Sequence, residues 1–319
     1  MNDVLKRQGE LGLVPVVKIM DAKDAVPLGK ALIAGDLPIA EITFRTDAAE
    51  ESIKRISSKL PDMLVGAGTV LTTDQAERAV AAGAKFIVSP GFNPKVVDWC
   101  IEKGVPITPG VNSPTQIEMA LERGLTHLKF FPAEASGGLA MLKAMSGPYG
   151  GVKFIPTGGV NAGNLGEYLA SPLIHACGGS WLAKADVIAA GNFDEITRVT
   201  REAVSLVLGF EMAHVGVNET SEDGAKSSAR FFGEVFGFPM KVGSSSVFAG
   251  PGIEITKSPV QGKHGHIAVR TNSIERAVAY LGRKGIKTDP GSAKEKNGKM
   301  IAIYLEDEVS GFAVHLLQK

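Results

Sequence analysis

A lysine stands inside an apolar stretch, Thr126-His127-Leu128-Lys129-Phe130-Phe131-Pro132-Ala133-Glu134. In a strand, Lys129 and Phe131 share one face and Leu128 and Phe130 the other. Burial disfavours the charged amine, and a neutral amine is a nucleophile for a ketone, so the chemistry to expect is Schiff-base formation. A strand-end lysine snorkelling to water is the plainer reading of this stretch taken alone. The rest of the chain argues against that. In Glu41-Ile42-Thr43-Phe44-Arg45-Thr46, the residues Glu41, Thr43 and Arg45 share one strand face. Glu41 and Arg45 stand about 13 Å apart along a strand, too far for a direct pair. Arg45 is thus free for an external carboxylate and Glu41 for proton transfer. A buried ion pair between Glu41 and some other residue is the competing explanation. Gly66-Ala67-Gly68-Thr69 offers space and a hydroxyl. Thr157-Gly158-Gly159 and Gly178-Gly179-Ser180 offer bare backbone N–H groups of the kind that cradle phosphate, although either glycine pair alone could be an ordinary turn.

These residues need a frame. Short apolar runs at 14–19, 39–44, 64–69, 86–89, 106–108, 127–131, 154–157 and 174–177 alternate with helical stretches. Eight evenly spaced strands predict a (β/α)₈ barrel, with an open doubly wound sheet as the rival. The glycine pairs then follow strands seven and eight, where barrels most often hold phosphate. Helix starts are marked by Thr72-Thr73-Asp74-Gln75 and by Asn112-Ser113-Pro114-Thr115-Gln116, with a serine cap and proline at the first helical position. The 319 residues carry 34 Lys+Arg against 34 Asp+Glu, which gives no support for nucleic-acid or anionic-membrane binding. Cys100 and Cys177 lack any metal or redox spacing and are expected as reduced thiols in a cytoplasmic protein. The first ten residues have no apolar signal core, and no apolar run approaches the ~20 residues that span a bilayer.

The set Glu41-Ile-Thr-Phe-Arg45-Thr, Gly66-Ala-Gly-Thr69, Ser89-Pro-Gly-Phe, Lys129-Phe-Phe-Pro-Ala-Glu134, Pro156-Thr-Gly-Gly-Val and Gly178-Gly-Ser-Trp resembles the 2-keto-3-deoxy-6-phosphogluconate (KDPG) aldolase family in motif order and spacing. The resemblance implies a class I aldolase on a TIM barrel, a homotrimer, with a phosphorylated keto-acid substrate and no cofactor. Lys129 would form the Schiff base and Glu41 would be general acid and base. Arg45 and Thr69 would hold the substrate carboxylate. Gly158, Gly159, Gly179 and Ser180 would hold the phosphate, Thr157 would be a further substrate-binding residue, and Pro90 and Phe131 would line the pocket. Phe44 departs from the smaller aliphatic residue common in the family, on the helix-facing side. Open alternatives are a 2-keto-3-deoxy-6-phosphogalactonate aldolase, an isomerase or synthase with a structural lysine, and a non-enzymatic sugar-acid phosphate sensor. The unphosphorylated 4-hydroxy-2-oxoglutarate has the same keto-acid end.

Residues 1–209 form the expected barrel. Residues 210–319 have a different texture, two similar units each reading βαβββ. His214 and His266 occupy matching first strands, Glu254 and His315 matching last strands. This arrangement resembles the glyoxalase, or vicinal oxygen chelate, superfamily, although His315 stands where glutamate is usual. The resemblance implies a divalent metal held by His214, Glu254, His266 and His315, with a metal-free module of scattered histidines as the alternative.

Overall fold

The computed structural model describes residues 2–319. The chain divides into two compact units, Met1–Val207 and Leu208–Lys319. In the first, the strands are β1 Leu13–Val17, β2 Ile39–Thr43, β3 Leu64–Gly68, β4 Ile87–Val88, β5 in two segments, Ile107–Thr108 and Gly110–Val111, β6 His127–Phe130, β7 Lys153–Pro156 and β8 Cys177–Gly179. Parallel pairing runs around the ring: Val16 with Glu41, Glu41 with Gly66, Ala67 with Ile87, Ile87 with Ile107, Gly110 with Lys129 and Lys129 with Ile155. A bridge from Thr157 to Gly178 and the pairing of Gly178 with Val14 close the barrel.

The alternation along each strand divides two environments. Ile42 of β2 turns outward to Ile53 and Ile56 of α2 (Ala49–Lys59), and all three are fully buried. Burial of such a side chain contributes ~1.5–3 kcal/mol, and Ile53→Ala would cost about 2–5 kcal/mol. The inward residues of β2, Glu41 and Thr43, are buried too, and therefore need polar partners. The helices start where their caps predict. Ser113 accepts from the Gln116 backbone N–H at 3.4 Å with Pro114 opening α4 (Pro114–Leu121), and Gln116 Oε1 accepts from Asn112 N–H at 2.6 Å. Thr72 caps α3 (Thr73–Ala81) in the same way.

Three strands differ from expectation by two residues or more, and the others by one at most at either end. The first strand ends at Val17, two residues early. The fifth continues past Pro109, whose missing N–H interrupts the ladder without ending it. The eighth runs through Gly178-Gly179, which read as loop in isolation, and Ile174 only bridges Phe154. A methyl on Gly178 would overlap the Thr157 side chain, so this strand position admits only glycine. An unforeseen helix, α1 (Asp3–Leu11), buries Gln8 against the barrel interior.

The second unit contains β9 (Glu211–Asn218), α6 (Glu222–Phe236), β10 (Met240–Val242), β11 (Ser246–Ala249) and β12 (Ile253–Thr256). The same order repeats in β13 (Gly265–Thr271), α7 (Ile274–Arg283), β14 (Thr288–Lys296), β15 (Lys299–Leu305) and β16 (Phe312–Gln318). One mixed sheet results, ordered β10-β11-β12-β9-β13-β16-β15-β14. Its two halves meet where β9 and β13 pair antiparallel. No described helix is long and apolar enough to cross a membrane.

Candidate active site in the barrel and a histidine cluster in the second unit

Inside the barrel, Lys129 Nζ lies 3.4 Å from Glu41 Oε1, with the two side chains only 4% and 5% exposed. The barrel interior is thus the setting of an ion pair, and its partners are the two residues singled out for chemistry. Their approach depends on the strands between them. Glu41 sits beside Gly66 in the ladder, and a methyl on Gly68 would overlap the Glu41 carboxylate. Glycine at position 68 makes the room that the acid fills. Lys129 is paired on one side with Gly110 and on the other with Ile155, and its Nζ lies 5.4 Å from the centre of the Phe131 ring. Gln8, Phe86, Thr108 and Thr157 line a small space together with the pair.

At the carboxyl ends of the strands a cleft of about 230 Å³ brings together Arg45, Phe131, Thr157, Gly158 and Ser180. Arg45 Nε donates to Thr69 Oγ1 at 3.0 Å. Thr69 has φ 55°, a left-handed conformation that costs a β-branched residue and holds its hydroxyl at the mouth. Gly158 and Gly159 also have positive φ, 97° and 87°, a backbone path that a side chain would oppose. Gly179 is buried next to Ser180. Pro90, with its carbonyl packed against Gly110, lies outside the residues that line this cleft, as do Thr69, Gly159 and Gly179. Lys18 and Lys184 border the cleft as well, so its lining carries three cationic side chains and no acid. Such a rim attracts an anionic ligand. Lys18 fell inside the expected first run, and only the strand's end at Val17 places it at the mouth beside Arg45.

The KDPG and KHG aldolase family matches residues 4–199. The chain belongs to this family. The 2-dehydro-3-deoxy-phosphogluconate aldolase of Treponema pallidum is 52% identical over 195 residues, which are 61% of this chain and 93% of that protein. The Haemophilus influenzae aldolase is 47% identical over 206 residues, 65% of this chain and 97% of its own. Among solved structures, KDPG aldolase from Legionella pneumophila, with pyruvate captured as a covalent carbinolamine, superposes with a TM-score of 0.61 at 39% identity, covering 63% of this chain and 98% of that one. The aldolase resemblance read from the motifs is therefore membership. Phe44, the departure noted in the sequence, packs half-buried against the outer core of the barrel.

In the second unit, His214, His266 and His315 are buried, and their ligand atoms lie within 4.8 Å of one another. Glu254 Oε2 lies 3.0 Å from His214 Nε2 and 3.1 Å from His266 Nε2. The register explains the convergence. Gly216 faces both His266 and Glu254, while Ala268 faces both His214 and His315, so the two halves repeat one arrangement. A methyl on Gly216 would overlap the His266 ring. Burial works against the Glu254 charge, yet hydrogen bonds from His214, His266 and Ser246 hold its carboxyl well below the usual range. Burial, with His266 and His214 adjacent, pulls the His315 imidazole down to about 4. Neither His315 nitrogen has a hydrogen-bond partner among the described residues, nor has His266 Nδ1. Tyr304, unforeseen from sequence, stacks on His315 with ring centres 4.7 Å apart.

Proposed function

We propose that the barrel cleaves 2-keto-3-deoxy-6-phosphogluconate to pyruvate and glyceraldehyde 3-phosphate by class I chemistry. The observation that carries this reading is the buried Lys129–Glu41 pair, 3.4 Å apart, beneath a cationic cleft. A proton passed from the Lys129 ammonium to the Glu41 carboxylate leaves two neutral groups and frees the amine lone pair. Lys129 Nζ attacks the C2 ketone, and the carbinolamine hydroxyl leaves as water with the proton that Glu41 carries, giving an iminium and returning Glu41 to the carboxylate. Glu41 takes the proton of the C4 hydroxyl as the C3–C4 bond breaks, and the bonding electrons pass into the enamine. The aldehyde leaves, Glu41 returns a proton to C3, and water hydrolyses the iminium to pyruvate and the free amine. The iminium is the electron sink, so no step calls on a metal. Arg45 and Thr69 hold the substrate carboxylate. Gly158, Gly159, Gly179 and Ser180 hold the phosphate, with Thr157 and Phe131 walling the path between. The same keto-acid end admits 4-hydroxy-2-oxoglutarate as a side substrate.

The test is borohydride reduction in the presence of pyruvate, followed by peptide mass mapping. The expected result is inactivation with one pyruvyl adduct on Lys129; an adduct elsewhere overturns the assignment. Parallel assays with the C4 epimer, the phosphogalactonate-derived substrate, measure stereochemical preference. We propose a cytoplasmic homotrimer, checked by light scattering of the purified chain.

The four-residue cluster of the second unit supports a separate reading, a divalent metal held by His214, Glu254, His266 and His315. Unpartnered buried imidazole nitrogens beside a carboxylate suit Zn²⁺, Ni²⁺, Mn²⁺ or Fe²⁺. Elemental analysis should find one metal per chain that is lost in His214→Ala; metal-free protein whose melting is unmoved by added zinc contradicts this reading.

A further inference from the structure

The motif after Lys129 ends in Glu134, a residue the proposed chemistry leaves unused. Beyond β6 the chain runs alongside the turn that follows β7. Ala133 N–H donates to Thr157 O at 2.8 Å and Glu134 N–H to Gly158 O at 3.0 Å. On the turn's other side, the Asn161 and Asn164 side-chain amides donate to Gly159 O at 2.9 and 3.2 Å. Three successive carbonyls are therefore held by the protein. The Glu134 stem lies so close to Gly159 that any side chain at 159 would overlap it. Its carboxylate accepts a hydrogen bond from the hydroxyl of Tyr168. Tyr168 lies on α5 (Leu165–Ala170) and is 2% exposed, so this anchor sits in packed interior.

We infer that Glu134 and Tyr168 are positioning residues for the phosphate end of the substrate. The Tyr168 hydroxyl fixes the Glu134 carboxylate, the Glu134 stem fixes Gly159, and the turn then presents the peptide N–H groups of Gly158 and Gly159 in one orientation. Neither side chain touches the reacting carbons. Their effect falls on substrates that carry a phosphate and not on those that lack one. This inference rests on the phosphate assignment made above.

The test is steady-state kinetics of the full chain on KDPG and on 4-hydroxy-2-oxoglutarate, with inorganic phosphate as competitor. For Tyr168→Phe and Glu134→Ala, KM for KDPG and Ki for phosphate should rise about tenfold, the loss of one hydrogen bond to a charged group, with kcat for KDPG and both constants for 4-hydroxy-2-oxoglutarate unchanged. Glu134→Gln keeps an acceptor for the Tyr168 hydroxyl and should recover most of the wild-type KM. Glu134 is exposed, so its variants give an answer even if Tyr168→Phe fails to fold. If phosphate competes in the wild type but the variants shift both substrates equally, or neither, the positioning role is overturned alone. If phosphate does not compete even in the wild type, the phosphate assignment fails and the positioning role with it.

Discussion

The two units solve one problem differently. Each brings polar side chains from separate strands into an interior, and each uses a glycine to make the room, Gly68 for Glu41 and Gly216 for His266. The barrel satisfies its interior with opposite charges, a lysine against a glutamate. The second unit gathers three imidazoles about one carboxylate and leaves imidazole nitrogens without partners among the described residues. An interior balanced by its own charges is ready to pass a proton between its two members. An interior with lone pairs to spare is ready for a cation. The kind of partner missing from a buried polar group thus points to the ligand that would complete it.

The comparison can be broken at each unit. The largest effect is expected at the barrel acid: Glu41→Gln should keep formation of the pyruvate adduct and lower turnover ~10²–10⁴-fold. An unchanged rate in a coupled pyruvate assay removes Glu41 from the role. Gly68→Ala should force the Glu41 carboxylate aside and cost about 10²-fold in turnover, the loss expected from a misplacement of ~1 Å. In the second unit, Gly216→Ala should displace the His266 ring and weaken metal affinity by about 10–100-fold, read by competition with a chromogenic chelator, while aldolase turnover stays as it was. Aldolase activity that tracks metal content would erase the distinction between the units.

The smallest effect concerns acid stability of the barrel. Burial, followed by the neighbouring His175 and Lys153, lowers His127 to about 4 from an ordinary 6.5. The folded chain keeps this imidazole neutral where the unfolded chain protonates it. Its contribution is therefore whole above pH 6.5 and is lost as the pH falls through about 4. The fall in melting temperature between pH 7 and pH 4.5 should be smaller in His127→Gln; an equal fall assigns the acid sensitivity elsewhere.

The polar faces of the strands were legible because side chains alternate with a period of two, whatever else the strand does. That period alone puts Glu41, Arg45 and Lys129 on inward faces. That Glu41 serves Lys129 came from the family resemblance and not from this period, because the two lie 88 residues apart and meet only through the register of the strands between them. The eighth strand is hard to place from sequence because Gly178-Gly179 looks like a turn until Thr157 is set against it. In the second unit the internal repeat reveals the matching histidines. Tyr304 stays hidden, since it faces His315 only through the pairing of β15 with β16.

The central claim is that the Lys129 amine captures an oxo-acid. Crystals soaked with pyruvate test it most directly. The account predicts continuous density from Lys129 Nζ to C2 of the ligand, with the carboxylate on Arg45 and Thr69. An intact lysine with free pyruvate beside it, under conditions where the enzyme turns over, would contradict it.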